Sequence, residues 1–416
     1  MDTYRWTRAE VDLDALAYNL EQFRRALGAD IRIMAVVKAN GYGHGAVKVA
    51  EEAVRFGVDY LAVAFLDEAI ELRDHGIEAP ILVLGYTPPA GVEVARARRI
   101  TLTVFDDDVL EAARAAVSEA PAPASSEASA FHAEASAAAL PLKIHIKIDT
   151  GMGRIGLPSP EEAVRFIDRA LRTPGVEVEG LYTHYACADE CDKTHVRGQH
   201  RRFAAIVDRF RAQGVSFRYV HAGNSATGID TPELTYNMLR LGVGMYGLYP
   251  SEEVNRERVR LKPVMSLKTG IVMVKTLPPG SGVSYGARYV TSDPAGETIA
   301  TLPVGYADGY TRMLTGKAEA LVRGKRAPIV GNICMDQCMV RIADGEAAVG
   351  DEVVLFGAQG DETIPVEELA QKLGTINYEI PCMLSHRVPR VYVKGGRTIE
   401  FHNPLLHFTS EKSIQS

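Results

Sequence analysis

The stretch that decides the fold is Ala-Val-Val-Lys-Ala-Asn-Gly-Tyr-Gly-His-Gly, Ala35–Gly45. An apolar run from Ile31 to Val37 reads as a buried strand. It ends in one lysine, Lys38, and breaks into a turn carrying Gly41, Gly43 and Gly45. Lysine is rarely buried. Burial lowers its pKa and turns the amine into an uncharged nucleophile or base. Such an amine can form a Schiff base with a carbonyl compound. The plainer reading is a lysine that reaches the surface at a strand end.

Working outward, short β-rich runs alternate with helical stretches as far as residue 245. The runs are Ile31–Val37, Tyr60–Val63, Ile81–Leu84, Thr101–Phe105, Leu142–Ile148, Val178–Thr183, Phe217–His221 and Met238–Val243. Amphipathic segments lie between them, among them Ala46–Phe56, Asp67–His75, Asp107–Val117, Pro160–Arg172 and Thr194–Gln213. Eight strands alternating with helices predict an α/β fold of the TIM-type (β/α)8 barrel kind. A doubly wound open sheet is the alternative, but no Gly-x-Gly-x-x-Gly follows the first strand. After Gly247 the pattern changes to short apolar runs punctuated by Pro and Gly, with helical periodicity only at Val366–Gly374. The expected division is a barrel over 1–246 and a mostly β C-terminal domain over 247–416. Ser118–Leu140, rich in Ala, Pro, Ser and Glu, reads as a flexible surface insertion in the barrel.

Composition narrows the class. The 416 residues are 46% hydrophobic and 24% charged, as in an ordinary globular protein. A net charge of -7 speaks against a nucleic-acid partner. No apolar run is long enough to span a membrane. The charged N-terminus, Met1–Asp14, has no signal-peptide core, so a cytoplasmic location is expected. Five cysteines argue against a disulfide framework. Cys187 and Cys191, like Cys334 and Cys338, have a spacing that could serve zinc. Cys334 and Cys338 sit in an apolar run, however, and no metal is expected.

In a TIM-type barrel, functional residues cluster at the C-terminal ends of the strands. That rule sorts the polar residues. Lys38 closes strand one, Asp149–Arg154 follow strand five, His184 ends strand six, Asn224 and Ser225 follow strand seven, and Arg240 lies in strand eight. Each has a plain structural alternative: a core histidine, a helix cap, a surface arginine. Together they would converge on one mouth. Gly-rich turns after strands seven and eight suit a phosphate. A Schiff-base lysine opposite a phosphate site is what pyridoxal 5'-phosphate requires.

With these residues in view, the chain resembles the alanine racemase family, fold-type III enzymes that use pyridoxal phosphate. The resemblance rests on Ala35–Gly45 (AVVKANGYGHG), Lys147–Gly156 (KIDTGMGRIG), Ala222–Ser225 (AGNS) and Arg240–Tyr249 (RLGVGMYGLY). It continues through Val283–Gly286 (VSYG), Leu302–Gly309 (LPVGYADG), Gly331–Met339 (GNICMDQCM) and Asn377–Arg390 (NYEIPCMLSHRVPR). It implies that Lys38 holds the cofactor, that Tyr42, Ser225, Gly242, Val243 and Tyr378 contact its phosphate, and that His184 and Asn224 lie near its ring. Arg240 would face the ring nitrogen. It also implies a two-base racemisation of alanine by Lys38 and Tyr285, with His184 and Arg240 assisting the phenol.

The same resemblance makes Arg154 the ligand of the substrate carboxylate and Lys147 a lysine that becomes carbamylated. Met335 and Asp336 would complete the substrate site, and Tyr306 would guard its entrance. It further implies a head-to-tail homodimer with shared sites, and supply of D-alanine for peptidoglycan. Alternatives of other kinds are a serine or broad-spectrum racemase, a pyridoxal-phosphate decarboxylase and a non-catalytic pyridoxal-phosphate-binding protein. The Lys38/Tyr285 pair and the complete β domain weigh against the last two.

Overall fold

A computed structural model describes residues 4–118, 140–343 and 345–406. The Ser118–Leu140 insertion lies almost wholly outside the described residues. The chain forms two compact units, one of Ala17–Gly41 and Ala46–Lys262, the other of Met1–Leu16, Tyr42–Gly45 and Pro263–Ser416. Neither is one continuous stretch, unlike the expected division at 246/247. A short N-terminal strand and four residues of the Gly-rich turn belong with the β unit.

The first unit is the barrel. After strand β1 (Arg8–Asp12), which belongs to the other unit, come β2 (Arg32–Val36), β3 (Tyr60–Val63), β4 (Ile81–Val83) and β5 (Ile100–Val104). They are followed by β6 (Leu142–Lys147), β7 (Val176–Tyr182), β8 (Tyr219–His221) and β9 (Met238–Leu241). The eight strands β2–β9 pair in parallel in the order β8-β7-β6-β5-β4-β3-β2-β9. The two ends of this sheet, β8 and β9, are joined by single hydrogen bonds. Asn237 N–H donates to Val220 O and Arg240 N–H to Gly223 O, both at 3.2 Å. That short seam closes the ring without a ladder.

Helices cover the strands on the outside, as the sequence period predicts. Ala46–Phe56 matches its predicted limits, and Asp107–Ser118, Pro160–Ala170 and Thr194–Ala212 end within two residues of theirs. Ser159 caps Pro160–Ala170 by accepting from Glu162 N–H, with proline at the first turn, where its missing N–H costs nothing.

The second unit is mostly β. Its main sheet runs through Met273–Leu277, Glu297–Leu302, Cys338–Ile342, Lys325–Val330 and Glu319–Val322 to Glu352–Gln359. It continues through Met265–Gly270, β1, Arg390–Lys394 and Arg397–His402. Met265–Gly270 and Met273–Leu277 are separate strands, broken at Ile271–Val272. β1 went unpredicted: five residues bounded by charged ones give little period. Its inward residues Ala9 and Val11 are nonetheless fully buried. Among the described residues no helix is long and apolar enough to cross a membrane.

Candidate active site

The barrel mouth gathers the residues that follow the strands. Just after β2, Lys38 opens a run with left-handed backbone: φ is 52° at Ala39, 53° at Asn40, 59° at Gly41 and 51° at Tyr42. Three of these are not glycine, and left-handed backbone costs an L-residue roughly 1–2 kcal/mol. The surroundings hold it there. Ala39 N–H donates to Glu68 Oε1 at 2.7 Å, Gly41 N–H to Val37 O at 2.8 Å, and Ala46 N–H to Asn40 Oδ1 at 2.9 Å. Lys38 is half-buried at this turn.

Arg240, on β9, is buried and held on several sides. Its Nη1 donates to His221 Nδ1 at 2.7 Å. Its Nη2 donates to Thr183 O at 2.9 Å, Ala222 O at 2.8 Å and His184 Nδ1 at 2.9 Å. Its Nε–H takes no partner among the described residues. Burial lowers its pKa to about 10, so it stays charged near neutrality. His184 is the reverse case. Burial first, then the charges of Arg240, Arg154, Lys147 and Lys38, hold it well below the usual histidine range. Since guanidinium only donates, His184 accepts at Nδ1 and carries its proton on Nε2.

Lys147 ends β6, buried, with Nζ donating to Ile148 O at 2.8 Å. Burial and the charge of Arg240 bring its pKa down to about 7, and the more distant charge of Arg154 adds to the effect. Arg154 is exposed in the loop that follows. That loop is pinned at its neck, where Leu157 N–H donates to Lys147 O and Asp149 N–H to Leu157 O. Asp149 Oδ1 accepts from the N–H groups of Gly151, Met152 and Gly153.

The loops after β8 and β9 are tied together by Ser225, whose Oγ accepts from Gly242 and Gly244 N–H, both at 3.2 Å. Ser225 and Val243 each open a short helix. The first N–H groups of a helix have no partner within it, so two sets of donors face the same junction. Asn224 does what its plainer reading foresaw: its Oδ1 caps the helix by accepting from Thr227 N–H at 3.1 Å.

The remaining predicted residues belong to the β unit. Tyr285 is 72% exposed and follows Ser284, whose φ is 65°. Asn332 Nδ2 donates to Tyr285 O, and Ser284 Oγ donates to Asn332 O. Tyr306 N–H donates to Cys334 O and Ala307 N–H to Met335 O, both at 3.0 Å. These bonds bring the loops of Tyr285, Tyr306, Met335 and Asp336 side by side. Asp336 accepts from Arg387 Nη2 at 2.7 Å, and Arg387 is a partner the sequence reading missed. Tyr42 and Tyr378 also lie in this unit, their rings 6.4 Å apart. Burial raises the Tyr42 pKa, with a further contribution from Cys382.

The donor set fits pyridoxal phosphate. A lysine at a strand end, two helix N-termini tied by a serine, and an arginine with one unpartnered N–H match an aldehyde, a phosphate and a ring nitrogen. All five cysteines are free, and no group of three or more metal-ligating side chains occurs among the described residues.

An eight-stranded parallel barrel joined to a mostly β unit is the architecture of a class of racemases. The family model for the alanine racemase N-terminal domain matches residues 11–250, and that for its C-terminal domain matches 264–392. The alanine racemase of Halalkalibacterium halodurans is 46% identical over 406 residues, 97% of this chain and 99% of that one. The crystal structure of the Bacillus anthracis alanine racemase with bound L-Ala-P has a TM-score of 0.86 at 40% identity. It covers 97% of this chain and 99% of that one. A histidine racemase from Leuconostoc mesenteroides is also similar, with a TM-score of 0.82 at 30% identity, covering 94% of this chain and 99% of that one. The chain belongs to the alanine racemase family.

Proposed function

We propose that this racemase interconverts L- and D-alanine with pyridoxal 5'-phosphate. The observation that carries the reading is Arg240: buried, charged, held by neutral acceptors, and left with one free N–H at the barrel mouth. Bound pyridoxal phosphate supplies a carbonyl and an electron-withdrawing ring that acidify the substrate Cα–H. Arg240 tunes that effect, because a group that only donates keeps a ring acceptor unprotonated. The pull is thereby restrained, which favours clean proton exchange over side reactions.

Lys38 anchors the cofactor aldehyde. Tyr42, Tyr378, Ser225, Gly242 and Val243 hold its phosphate, and Asn224 sits beside its ring. Lys38 and Tyr285 are the two bases, one for each face of the substrate Cα. An ordinary phenol titrates near 10. His184, with Nδ1 taken by Arg240, offers its Nε2–H to the phenol oxygen and so eases loss of the phenolic proton. Arg154 binds the substrate carboxylate in a bidentate manner. Met335 and Asp336 line the substrate side, and Tyr306 stands at the entrance. Lys147, whose pKa falls to about 7, has a substantial neutral fraction near neutrality, and that neutral amine attacks CO2 through Nζ and releases a proton. The resulting carbamate pairs with Arg154 and steadies it.

The active form is a head-to-tail homodimer in which Tyr285, Tyr306, Met335 and Asp336 of one copy complete the barrel site of the other. Their exposure in the single chain supports this: Tyr285 is 72%, Met335 53% and Tyr306 40% exposed. The enzyme works in the cytoplasm and supplies D-alanine for peptidoglycan.

The histidine racemase among its structural relatives makes specificity the point to test. Chiral chromatography of the enzyme with the cofactor and L-alanine, L-serine, L-histidine and L-lysine is the direct measurement. Rapid D-alanine formation with slower D-serine formation is expected, since one added group in a close pocket is worth about 1–3 kcal/mol. Comparable turnover of histidine or lysine would overturn the alanine reading.

A further inference from the structure

Barrel interiors are usually filled by branched apolar side chains. Here a polar chain runs through the barrel away from the mouth. Arg240 Nη1 meets His221 Nδ1 at 2.7 Å. His221 Nε2 meets His145 Nδ1 at 2.9 Å. His145 Nε2 faces Glu179 Oε2 at 3.6 Å. All four residues are buried.

The direction of every link is forced. Guanidinium has no acceptor, so His221 Nδ1 must be bare. The His221 proton then sits on Nε2 and is donated to His145 Nδ1. The His145 proton is left on Nε2, aimed at the carboxylate. No second arrangement of protons satisfies the chain while both rings are neutral. Burial, then the charge of Arg240, holds His221 well below its usual range, and burial lowers the pKa of His145. Glu179 is an anion: burial opposes its ionisation, but contacts from His145, Lys143 and Tyr60 bring its pKa down to about 2.

Among the described residues no carboxylate pairs with Arg240 directly. A buried cation without a counter-charge is costly. Glu179 is the negative charge beyond the far end of its hydrogen-bonded chain, 3.6 Å from His145 Nε2, which has no hydrogen-bond partner of its own among the described residues. Two local devices place it there. The β6–β7 register sets Ile144 opposite Val178 and His145 opposite Gly180, so Glu179 is the extra residue of a β-bulge. A Cβ on Gly180 would come within 2.9 Å of three atoms of the His145 ring, so glycine makes room for the imidazole.

We propose that Glu179 is a positioning residue for Arg240, acting as its counter-charge across His145 and His221, the rings whose tautomers Arg240 itself sets. Its consequence for catalysis rests on the reading of Arg240 as the partner of the cofactor ring; the coupling itself does not.

The test uses the full-length enzyme labelled with 15N-histidine, with and without the cofactor, and reads the ring nitrogens of His221 and His145 by NMR. In wild type, Nε2 of each ring is protonated and Nδ1 bare. In Glu179→Gln the charge is lost while the amide oxygen still faces His145 Nε2–H, so both rings keep their tautomers, the ring-nitrogen signals of His145 and His221 shift, and kcat falls at least tenfold with little change in KM. Glu179→Asp keeps the charge and is expected to keep the wild-type signals, which a purely space-filling role would not require. If Glu179→Gln does not fold, Gly180→Ala tests the same chain by displacing His145, with the same change in His221 expected. Unchanged His221 signals in Glu179→Gln, or in Gly180→Ala where that variant stands in, overturn the proposal. Altered signals with unchanged kcat would leave the chain standing and instead remove Arg240 from the cofactor reading.

Discussion

At Lys147, burial beside Arg240 sets the protonation state before any ligand arrives. Its pKa falls from 10.5 to about 7 in the folded chain. The unfolded chain therefore binds the proton more tightly, and stability rises with pH between those values. Below about 7 the full cost of the buried amine is present; above 10.5 it is gone. Lys147→Met removes the group. In CO2-free buffer the variant is expected to be more stable than wild type at pH 7 by on the order of 2 kcal/mol. The gain should fade as the pH approaches 10, measured by thermal melting. A gain that grows with pH would contradict the assignment. With 13C-bicarbonate present, a carbamate carbon signal is expected in wild type and none in Lys147→Met. Lys38 makes a simpler case: Lys38→Ala should abolish both racemisation and the absorbance of the lysine-bound cofactor.

Residues differ in how openly the sequence declares them. Lys38 stands out because a charge ends an apolar run. Arg240 stands out once eight strands are counted, as a charge within the last of them, whereas Lys147 is marked only by the family resemblance. Tyr285 gives no signal in period or spacing; only its family resemblance marks it. Glu179 and His145 escaped altogether. In β6, Lys143, His145 and Lys147 alternate with Leu142, Ile144 and Ile146. That alternation ordinarily means polar side chains in water. Here His145 and Lys147 are buried, although Lys143 is not, while the apolar set is buried as well.

Among the elements, the left-handed turn after β2 is the most constrained. Gly43 has φ of 81°, and a Cβ there would lie 2.1 Å from Pro381 O. Backbone cannot yield as a flexible side chain can. Gly43→Ala is therefore expected to cost at least about 2 kcal/mol in chemical denaturation. Ala39→Gly, at φ of 52°, should be neutral or slightly stabilising, because it removes a penalty that alanine bears and glycine does not. A destabilisation by Ala39→Gly as large as that of Gly43→Ala would mean that the turn is not strained. The helices of the barrel were legible by their period, and its strands as short apolar runs buried on both faces. The turn was legible only as a glycine-rich break. Its handedness is dictated by tertiary bonds such as Ala39 N–H to Glu68, which no local pattern records.

For the whole molecule, the proposed shared sites make a symmetry argument testable. Lys38→Ala and Tyr285→Phe each inactivate both sites of a homodimer. A heterodimer of the two would hold one site with neither substitution. Random reassortment gives half heterodimers, so roughly a quarter of wild-type activity should return on mixing after dissociation. No recovery would mean that each chain supplies both groups to its own site. Of this level of organisation the sequence alone says least, because exposed aromatic residues such as Tyr285 and Tyr306 look like loop residues until a partner surface is considered.

The β unit also imposes an order on synthesis. Strand β1 pairs with Met265–Gly270 on one side and, in parallel, with Arg390–Lys394 on the other. Ala9 is aligned with Arg390, nearly the full length of the chain away. Ribosomes add roughly 5–20 residues per second. Until residue 270 is made, then, a nascent chain carries β1 with both edges open and with Ala9 and Val11 uncovered, and all the barrel strands are complete by residue 241, before either partner of β1 exists. The edge of β1 that Arg390–Lys394 covers stays open until those residues are made, so termination before residue 390 would leave a sticky strand edge, a ready target for chaperones.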